Sequence, residues 1–283
     1  MEKIIACVVT YNRLDLLKQV IDGLRKQTRQ IDEIVVVNNG SNDGTYEWLS
    51  EQTDITTITQ DNLGSSGGQY TASKYAYSKG ADYIWLMDDD VVAKPNCLEV
   101  LLKYCDKYDI LCPLRYNIED VYLNDVKKIS LDNPFKSIWR EIISKNDLAN
   151  ETIPVEAFTF EGPLIHKNVF EKIGLPEKKF FIYGDDTEFS VRALKNNFRA
   201  AVIRDAVFIR LITPVPDKAK FTWKTYYMVR NLSAIDKLHG NGFVPYFRPI
   251  GYFLTFLRTV ENFEHLKTLF KALIDGYKYK SAN

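Results

Sequence analysis

The strongest constraint on this chain is a rhythm: short continuous apolar runs rich in β-branched residues alternate with longer stretches of helical spacing. Lys3 to Thr10 is the first run, Glu33 to Val37 the second, Ile55 to Thr59 a weaker third and Tyr83 to Met87 the fourth. Between them, Arg13 to Gln27 sets Leu14, Leu17, Ile21 and Leu24 at helical spacing. Asp43 can cap a helix through Leu49, and the stretch Asn62 to Gly68 opens a helix ending near Lys79. Runs with no polar alternation are buried on both faces, which predicts a doubly wound, mostly parallel α/β sheet with helices on both sides. Ligands of such sheets bind beyond the carboxyl ends of the strands. The loops at 10–13, 38–44 and 88–90 all fall at that edge.

The fourth run climbs into Asp88-Asp89-Asp90. Adjacent carboxylates repel one another unless a positive group joins them. Hard divalent cations such as Mg²⁺ or Mn²⁺ take oxygen ligands and commonly share a site with substrate phosphates. In extended backbone Asp88 and Asp90 point the same way while Asp89 turns aside. A second acidic cluster, Gly184-Asp185-Asp186-Thr187-Glu188, opens a helix running to about Asn196, where first-turn carboxylates also suit the helix dipole.

Elsewhere the spacing predicts a helix over Pro95–Tyr104, a strand over Asp109–Leu114, a strand from Val155 to Ile165, a helix over Lys167–Ile173 and two strands between Phe198 and Arg210. Residues 115–153 lack clean periodicity and read as an insertion. From Phe221 onward the chain reads as helical. Val244 to Val260 gathers aromatics with Arg248 and Arg258, and Phe263, Leu266, Leu269, Phe270, Leu273, Ile274 and Tyr277 form an apolar stripe.

The 283 residues carry 37 Lys or Arg and 37 Asp or Glu, so no global field draws the chain to nucleic acid or to a membrane. The balance is uneven, because eleven bases face five acids from Asp217 onward. That excess suits either a helix docked on the core or a basic surface against an anionic membrane. Cys7, Cys97, Cys105 and Cys112 lack metal-pair spacing; Cys7 and Cys112 read as buried free thiols, in keeping with a reducing compartment. No apolar run reaches the ~18–20 residues of a membrane span, and no secretory h-region follows Met1. The expectation is a cytoplasmic protein, at most peripheral on the inner face of the plasma membrane.

Taken together, several segments resemble the family 2 glycosyltransferases of the GT-A fold. They are Val-Val-Thr-Tyr-Asn-Arg at 8–13, Val-Val-Asn-Asn-Gly-Ser-Asn-Asp-Gly-Thr at 36–45, Asn-Leu-Gly at 62–64, Trp-Leu-Met-Asp-Asp-Asp at 85–90 and Phe-Ile-Tyr-Gly-Asp-Asp-Thr-Glu-Phe at 181–189. Asn-Leu-Gly-x-x-Gly-Gly followed by Met-Asp-Asp-Asp looks most like bacterial galactofuranosyltransferases, then the rhamnosyltransferases of polysaccharide synthesis. Tyr226-Tyr227-x-x-Arg230-Asn231 is similar to a segment of those polymer enzymes.

The resemblance implies a catalytic domain over 1–216, its nucleotide-sugar half at about 1–114 and its acceptor half at about 115–216, with a helical region over 217–283. It implies inverting transfer from a nucleotide-diphosphate sugar, UDP-galactofuranose foremost, to a saccharide or lipid-linked saccharide hydroxyl. Asp186 is then the base, with Asp185, Glu188 and Glu161 at the acceptor. Thr10, Tyr11, Arg13, Asn38, Asn39, Asn62, Gly64, Gly67, Gly68, Asp88, Asp89 and Arg210 are at the nucleotide sugar, and Asp88 and Asp90 hold Mn²⁺ or Mg²⁺. Two positions depart from the pattern. Asn38-Asn39 stands where relatives often carry a base-contacting aspartate. Arg210 stands where a histidine commonly completes the metal site. A dTDP-rhamnose enzyme and a non-catalytic nucleotide-sugar binder are the alternatives.

Overall fold

The computed structural model describes residues 2–117, 120–212 and 220–281, so the expected boundary at 216 lies outside the described residues. The chain opens with β1 (Ile4–Thr10), α1 (Leu14–Arg25), β2 (Glu33–Asn38), α2 (Thr45–Ser50), β3 (Ile55–Thr59), α3 (Gly64–Ser78) and β4 (Tyr83–Asp88). β1 pairs in parallel with both β2 and β4, and β2 with β3. Alternate residues of each strand feed two cores. Ile5, Cys7, Val9, Val35, Val37, Ile84 and Leu86 face Ala72 and Ala76 of α3 on one side. Ile4, Ala6, Val8, Ile34, Val36, Trp85 and Met87 face Leu17, Val20, Ile21 and Leu24 of α1 on the other. Both faces are covered, which is why the strands read as unbroken apolar runs.

Next come β5 (Val91–Ala93), α4 (Cys97–Leu102), β6 (Ile110–Tyr116), β7 (Val121–Tyr122), β8 (Val126–Ile129), β9 (Trp139–Ile142), β10 (Thr152–Val155), β11 (Leu164–His166), α5 (Lys167–Ile173), α6 (Asp185–Lys195) and β12 (Ala200–Arg210). The large sheet runs β10-β12-β6-β11-β4-β1-β2-β3. β11 is antiparallel to both β4 and β6, whereas β12 and β6 are parallel. The chain has the GT-A architecture, a mostly parallel sheet between helices.

Three expectations are corrected. The run from Val155 to Ile165 is not one strand: β10 ends at Val155, β11 begins at Leu164, and the segment between carries Thr159 and Glu161 into a cavity. Phe198 to Arg210 holds one strand, not two; the polar pair Arg204-Asp205 sits where the register shifts between Ile203 and Val207. The stretch over 115–153, read as an insertion without clean periodicity, folds β8 and β9 into a small antiparallel sheet.

After residue 220 stand α7 (Trp223–His239), α8 (Val244–Leu257) and α9 (Phe263–Tyr277). They share a core with the rest of the chain: Leu232, Ala234, Ile235 and Tyr279 pack with Val126, Ile138, Phe180 and Val191. On α9 the docking face is Leu269, Ala272 and Gly276, with Leu266 and Leu273 partly buried, while Phe263, Phe270 and Ile274 are exposed. The apolar stripe therefore splits. Gly276 lets α9 approach α7 closely, since a Cβ there would lie 2.6 Å from Ser233 Cβ and 2.7 Å from Arg230 O. The small residues take the contact and the large ones stay outside.

Candidate active site

The strand order brings Thr10, Asn38 and Asp88 to one edge, with Thr10 opposite Asn38 and Val9 opposite Asp88. A cavity of about 830 Å³ opens there, within the range of small-molecule sites. Thr10, Tyr11, Arg13, Asn39, Asn62, Gly64, Asp88, Asp89 and Asp90 line one side, and Glu161, Asp185 and Asp186 the other.

The first acid cluster is a turn between β4 and β5. Asp89 is drawn back into the sheet edge by Thr10 Oγ1 (2.8 Å) and Tyr11 N (3.3 Å). Arg13 Nη1 donates to Asp89 (3.0 Å) and to Asp90 (3.1 Å), so its charge is spent on this cluster. Gln69 of α3 donates to Asp88 at 3.1 Å. Burial holds the Asp88 carboxyl well above its usual range, and Asp90, Glu161, Asp89 and Asp185 push it further. Burial also raises Asp89 and Asp90 against the lowering effect of Arg13. Acids from both clusters therefore converge on Asp88.

The second cluster opens α6. Asp186 Oδ1 accepts from Thr187 N (2.5 Å) and Thr187 Oγ1 (3.2 Å). Asp185 Oδ2 is buried with no hydrogen-bond partner among the described residues. Both carboxyls lie above the ordinary range, chiefly through burial; Asp186 raises Asp185, and Glu161 raises Asp186. The approach to α6 is strained, because Phe181 (φ 66°) and Tyr183 (φ 67°) occupy the left-handed region that side chains disfavour. Asn231 of α7 holds that segment. Its amide donates to Phe180 O (3.0 Å), Ile182 O (2.8 Å) and Tyr183 O (2.7 Å). Arg230 donates to Lys179 O (2.9 Å) and Phe180 O (2.8 Å). The Tyr226-Tyr227-x-x-Arg230-Asn231 segment thus fastens the loop that carries Asp185 and Asp186.

Between the clusters lies a buried charge network. Glu161 accepts from Arg115 (2.7 Å) and from Arg210 (2.9 and 3.0 Å). Arg115 also pairs with Asp125, and Tyr122 lies 4.1 Å from the Arg210 guanidinium by ring centroid. Arg210 stands close to the first cluster, since Leu211 N donates to Asp90 O (2.8 Å) and the Arg210 charge lowers the Asp90 pKa. Its guanidinium is nevertheless engaged by Glu161. Arg115, Asp125 and Tyr122 were not singled out from the sequence; they sit around the aperiodic stretch, and only contacts such as 115 to 161 reveal them.

Several expected residues are placed differently. Glu188 does not line the cavity: its carboxylate, 1% exposed as a residue, pairs with Arg192 (2.8 Å) and His239 (2.9 Å), joining α6 to α7. Gly67 and Gly68 are packing glycines rather than cavity residues, because a Cβ would lie 2.4 Å from Leu63 Cβ and 2.3 Å from Val9 Cγ1. Gly64 lines the cavity, with φ at +75° and no room beside Phe181 O. Asn39 is saturated by Gly64 O and by Gln60 Nε2, both at 2.9 Å. Asn38 is buried beneath the edge; its Oδ1 accepts from Ser41 N (3.0 Å) and its Nδ2 has no partner among the described residues. Asn62 accepts from Gly64 N (2.9 Å).

The chain is similar to known proteins in sequence and in fold. The family model for glycosyl transferase family 2 matches residues 5–174. Galactofuranosyltransferase GlfT1 of Mycobacterium tuberculosis is 31% identical over 219 residues, which span 74% of this chain and 70% of the relative. The dTDP-rhamnosyl transferase RfbF of Shigella flexneri is 26% identical, with 81% of this chain and 78% of the relative covered. A crystal structure of GalNAc-T7 with UDP, GalNAc and Mn²⁺ superposes with a TM-score of 0.69 at 13% identity, over 98% of this chain and 55% of that one. With the family match spanning more than half the sequence, and a relative 31% identical over 74% of this chain, the chain belongs to glycosyl transferase family 2.

Proposed function

We propose that the protein moves a hexosyl group, galactofuranose foremost, from UDP to a hydroxyl of a saccharide or lipid-linked saccharide in cell-surface polysaccharide or glycolipid synthesis. The reaction would occur in the cytoplasm, at the inner face of the plasma membrane where the acceptor is lipid-linked. The observation that carries the reading is the convergence of Asp88, Asp90, Glu161 and Asp185 around one cavity. Residues of about 1–114 hold the nucleotide sugar, and those of about 115–216 face the acceptor.

Asp88 and Asp90 offer hard oxygens suited to Mg²⁺ or Mn²⁺, and Asp88 sits among carboxylates whose repulsion a cation would relieve. Among the described residues no group of three or more His, Cys, Asp or Glu is arranged to hold an ion. With Arg210 in place of a histidine, Asp88 and Asp90 would hold the ion with the help of substrate oxygens. A bound metal supplies neutralisation of the charge that grows on the leaving diphosphate. Arg13, paired with Asp89 and Asp90, offsets part of their negative charge at the same edge. Asp186 takes the proton of the acceptor hydroxyl as its oxygen bonds to the anomeric carbon and the diphosphate leaves with the electrons of the broken bond. Its raised pKa suits a base working near neutral pH.

A panel of UDP-galactofuranose, UDP-galactopyranose and dTDP-rhamnose, scored by release of nucleoside diphosphate with and without acceptor across a metal titration, tests the reading. Clear preference for UDP-galactofuranose is expected. Preference for dTDP-rhamnose promotes the second reading, which RfbF supports by its coverage of this chain. Release from none of the donors leaves a nucleotide-sugar-binding module.

A further inference from the structure

Helix α8 has its polarity inverted. From Phe243 to Leu257 the only charged residue, Arg248, is buried against Asp236 at 3.2 Å. The outward face carries Phe243, Phe247, Ile250, Leu254 and Leu257 at successive spacings of four, three, four and three residues, all exposed. Phe243 is 70% exposed and Leu254 55%. A surface helix of a water-facing domain puts its polar residues there. The patch continues at both ends: Phe135, 89% exposed, lies 6.4 Å from Phe247 by ring centroids, and Phe270 of α9 lies 4.7 Å from Phe253.

The C-terminal region that carries this face is basic, although Glu261 and Glu264 sit beside the stripe and Glu264 pairs with Lys267 at 2.8 Å. Among the described residues from 220 to 281, seven exposed Lys or Arg stand against two exposed acids. Arg258 follows the stripe directly, and Lys267 and Lys271 border an apolar groove with Phe263, Phe270 and Ile274. Lys267 holds its ammonium 4.7 Å from the Phe263 ring centroid, so its stem covers apolar surface while the charge stays at the edge.

We infer that the α8–α9 face docks flat on an anionic lipid bilayer. A second protein copy would leave the basic excess without a counterpart, whereas an acidic headgroup layer complements it. The helix lies on the surface rather than through it, since none among the described residues is long and apolar enough to cross. Docking also orients the site. α8 packs on α7, and Trp223, Lys224 and Met228 of α7 line the cavity, so one helix joins the lipid-facing pair to the site. The inference extends the proposed use of a lipid-linked acceptor, yet vesicle binding needs no turnover, so the two fail separately.

Co-sedimentation with phosphatidylcholine vesicles, with and without phosphatidylglycerol, at low and high salt tests it. The wild type is expected to bind the anionic vesicles and to release with salt. Phe247→Ser,Ile250→Ser,Leu254→Ser should lower partitioning about tenfold or more, and Lys267→Glu,Lys271→Glu about tenfold. Both variants should keep the wild-type melting profile and UDP binding, because the altered side chains are exposed and outside the cavity. No binding by the wild type at low salt, equal binding by the triple-serine variant, or equal binding to purely neutral vesicles each overturns the proposal. A dimer seen by sedimentation equilibrium, dissociated by the triple-serine variant while vesicles remain unbound, assigns the face to a second copy and overturns it as well.

Discussion

The two acid clusters reach the same cavity by different routes. Asp88 ends a strand buried in the sheet and Asp89 and Asp90 form the turn after it; their side-chain partners Thr10, Arg13 and Gln69 all precede them in the chain. Asp185 and Asp186 follow a backbone with positive φ at Phe181 and Tyr183, and what holds it comes from α7, about fifty residues later. One cluster is placed by the sheet itself. The other is held by a clamp that one side chain dominates, so the two halves of the site should respond differently when cut.

The largest expected effects fall on the clusters themselves. Asp88→Ala,Asp90→Ala and Asp186→Asn should each cost about 10²-fold or more in turnover, the scale of losing transition-state charge stabilisation or a general base. They should separate in binding. The first variant weakens UDP affinity in the presence of metal, and the second leaves it near wild type by calorimetry. If Asp186→Asn turns over normally while Asp185→Asn is dead, the roles within the pair are reversed. If both leave turnover intact, the two-cluster site is wrong.

A smaller effect sharpens the comparison. Asn231→Ala removes three donated hydrogen bonds from a loop whose backbone is otherwise unfavourable. Each bond is worth about 0.5–1.5 kcal/mol net, so the melting temperature should fall. Turnover should drop about tenfold or more through misplacement of Asp186, with UDP affinity unchanged because the first cluster does not depend on α7. A parallel fall in UDP affinity would show that the clusters are not independently supported.

The same contrast explains what the sequence made legible. A buried strand and chain order suffice to bring Asp88 to the ligand edge, whereas Asp89 and Asp90 lie in the turn after β4, where a strand period does not aim them. Glu188 was misread although the signal was present: residues two apart on a helix do not share a face, so Asp186 and Glu188 could not both meet an acceptor. The Glu188–Arg192 pair, at a spacing of four, was visible in the sequence. Arg115, Asp125 and Tyr122 carry no such signal, because Arg115 joins them to a partner, Glu161, that lies across an aperiodic stretch. Gly67 and Gly68 looked like ligand-loop glycines, and only the neighbouring Val9 and Leu63 side chains reveal their packing role. The α9 stripe was seen whole, but the small residues Ala272 and Gly276, which fix the helix's rotation on α7, weigh little in a hydrophobic pattern.

The subtlest prediction separates two acids raised by the same cause. Burial lifts Asp186 in the cavity and, in the α7–α8 seam, lifts Asp236 to about 7 against the lowering charge of Arg248. Asp186 accepts a proton only when ionised, so turnover should fall as pH drops through its raised pKa, above the ordinary carboxylate value of about 3.9. Glu161→Gln removes a negative neighbour and leaves Arg115 less neutralised; both changes favour ionised Asp186, so the acid limb of the rate profile should move to lower pH. Asp236 acts on stability instead. Its folded pKa exceeds the unfolded one, so the folded state binds more protons in between. Its contribution is therefore fully present below about pH 4, near the unfolded carboxylate value, and is lost as pH rises through about 7. Asp236→Asn, a near-isostere of the protonated acid, should keep the melting temperature close to wild type at acid pH, where Asp236 is itself neutral, and flatten the decline of stability across that window. The turnover limb should stay where it was, because Asp236 does not line the cavity. Measuring melting temperature and rate against pH for both variants decides the matter. A turnover limb that follows Asp236→Asn, or ignores Glu161→Gln, would remove the grounds for treating Asp186 as the titrating base.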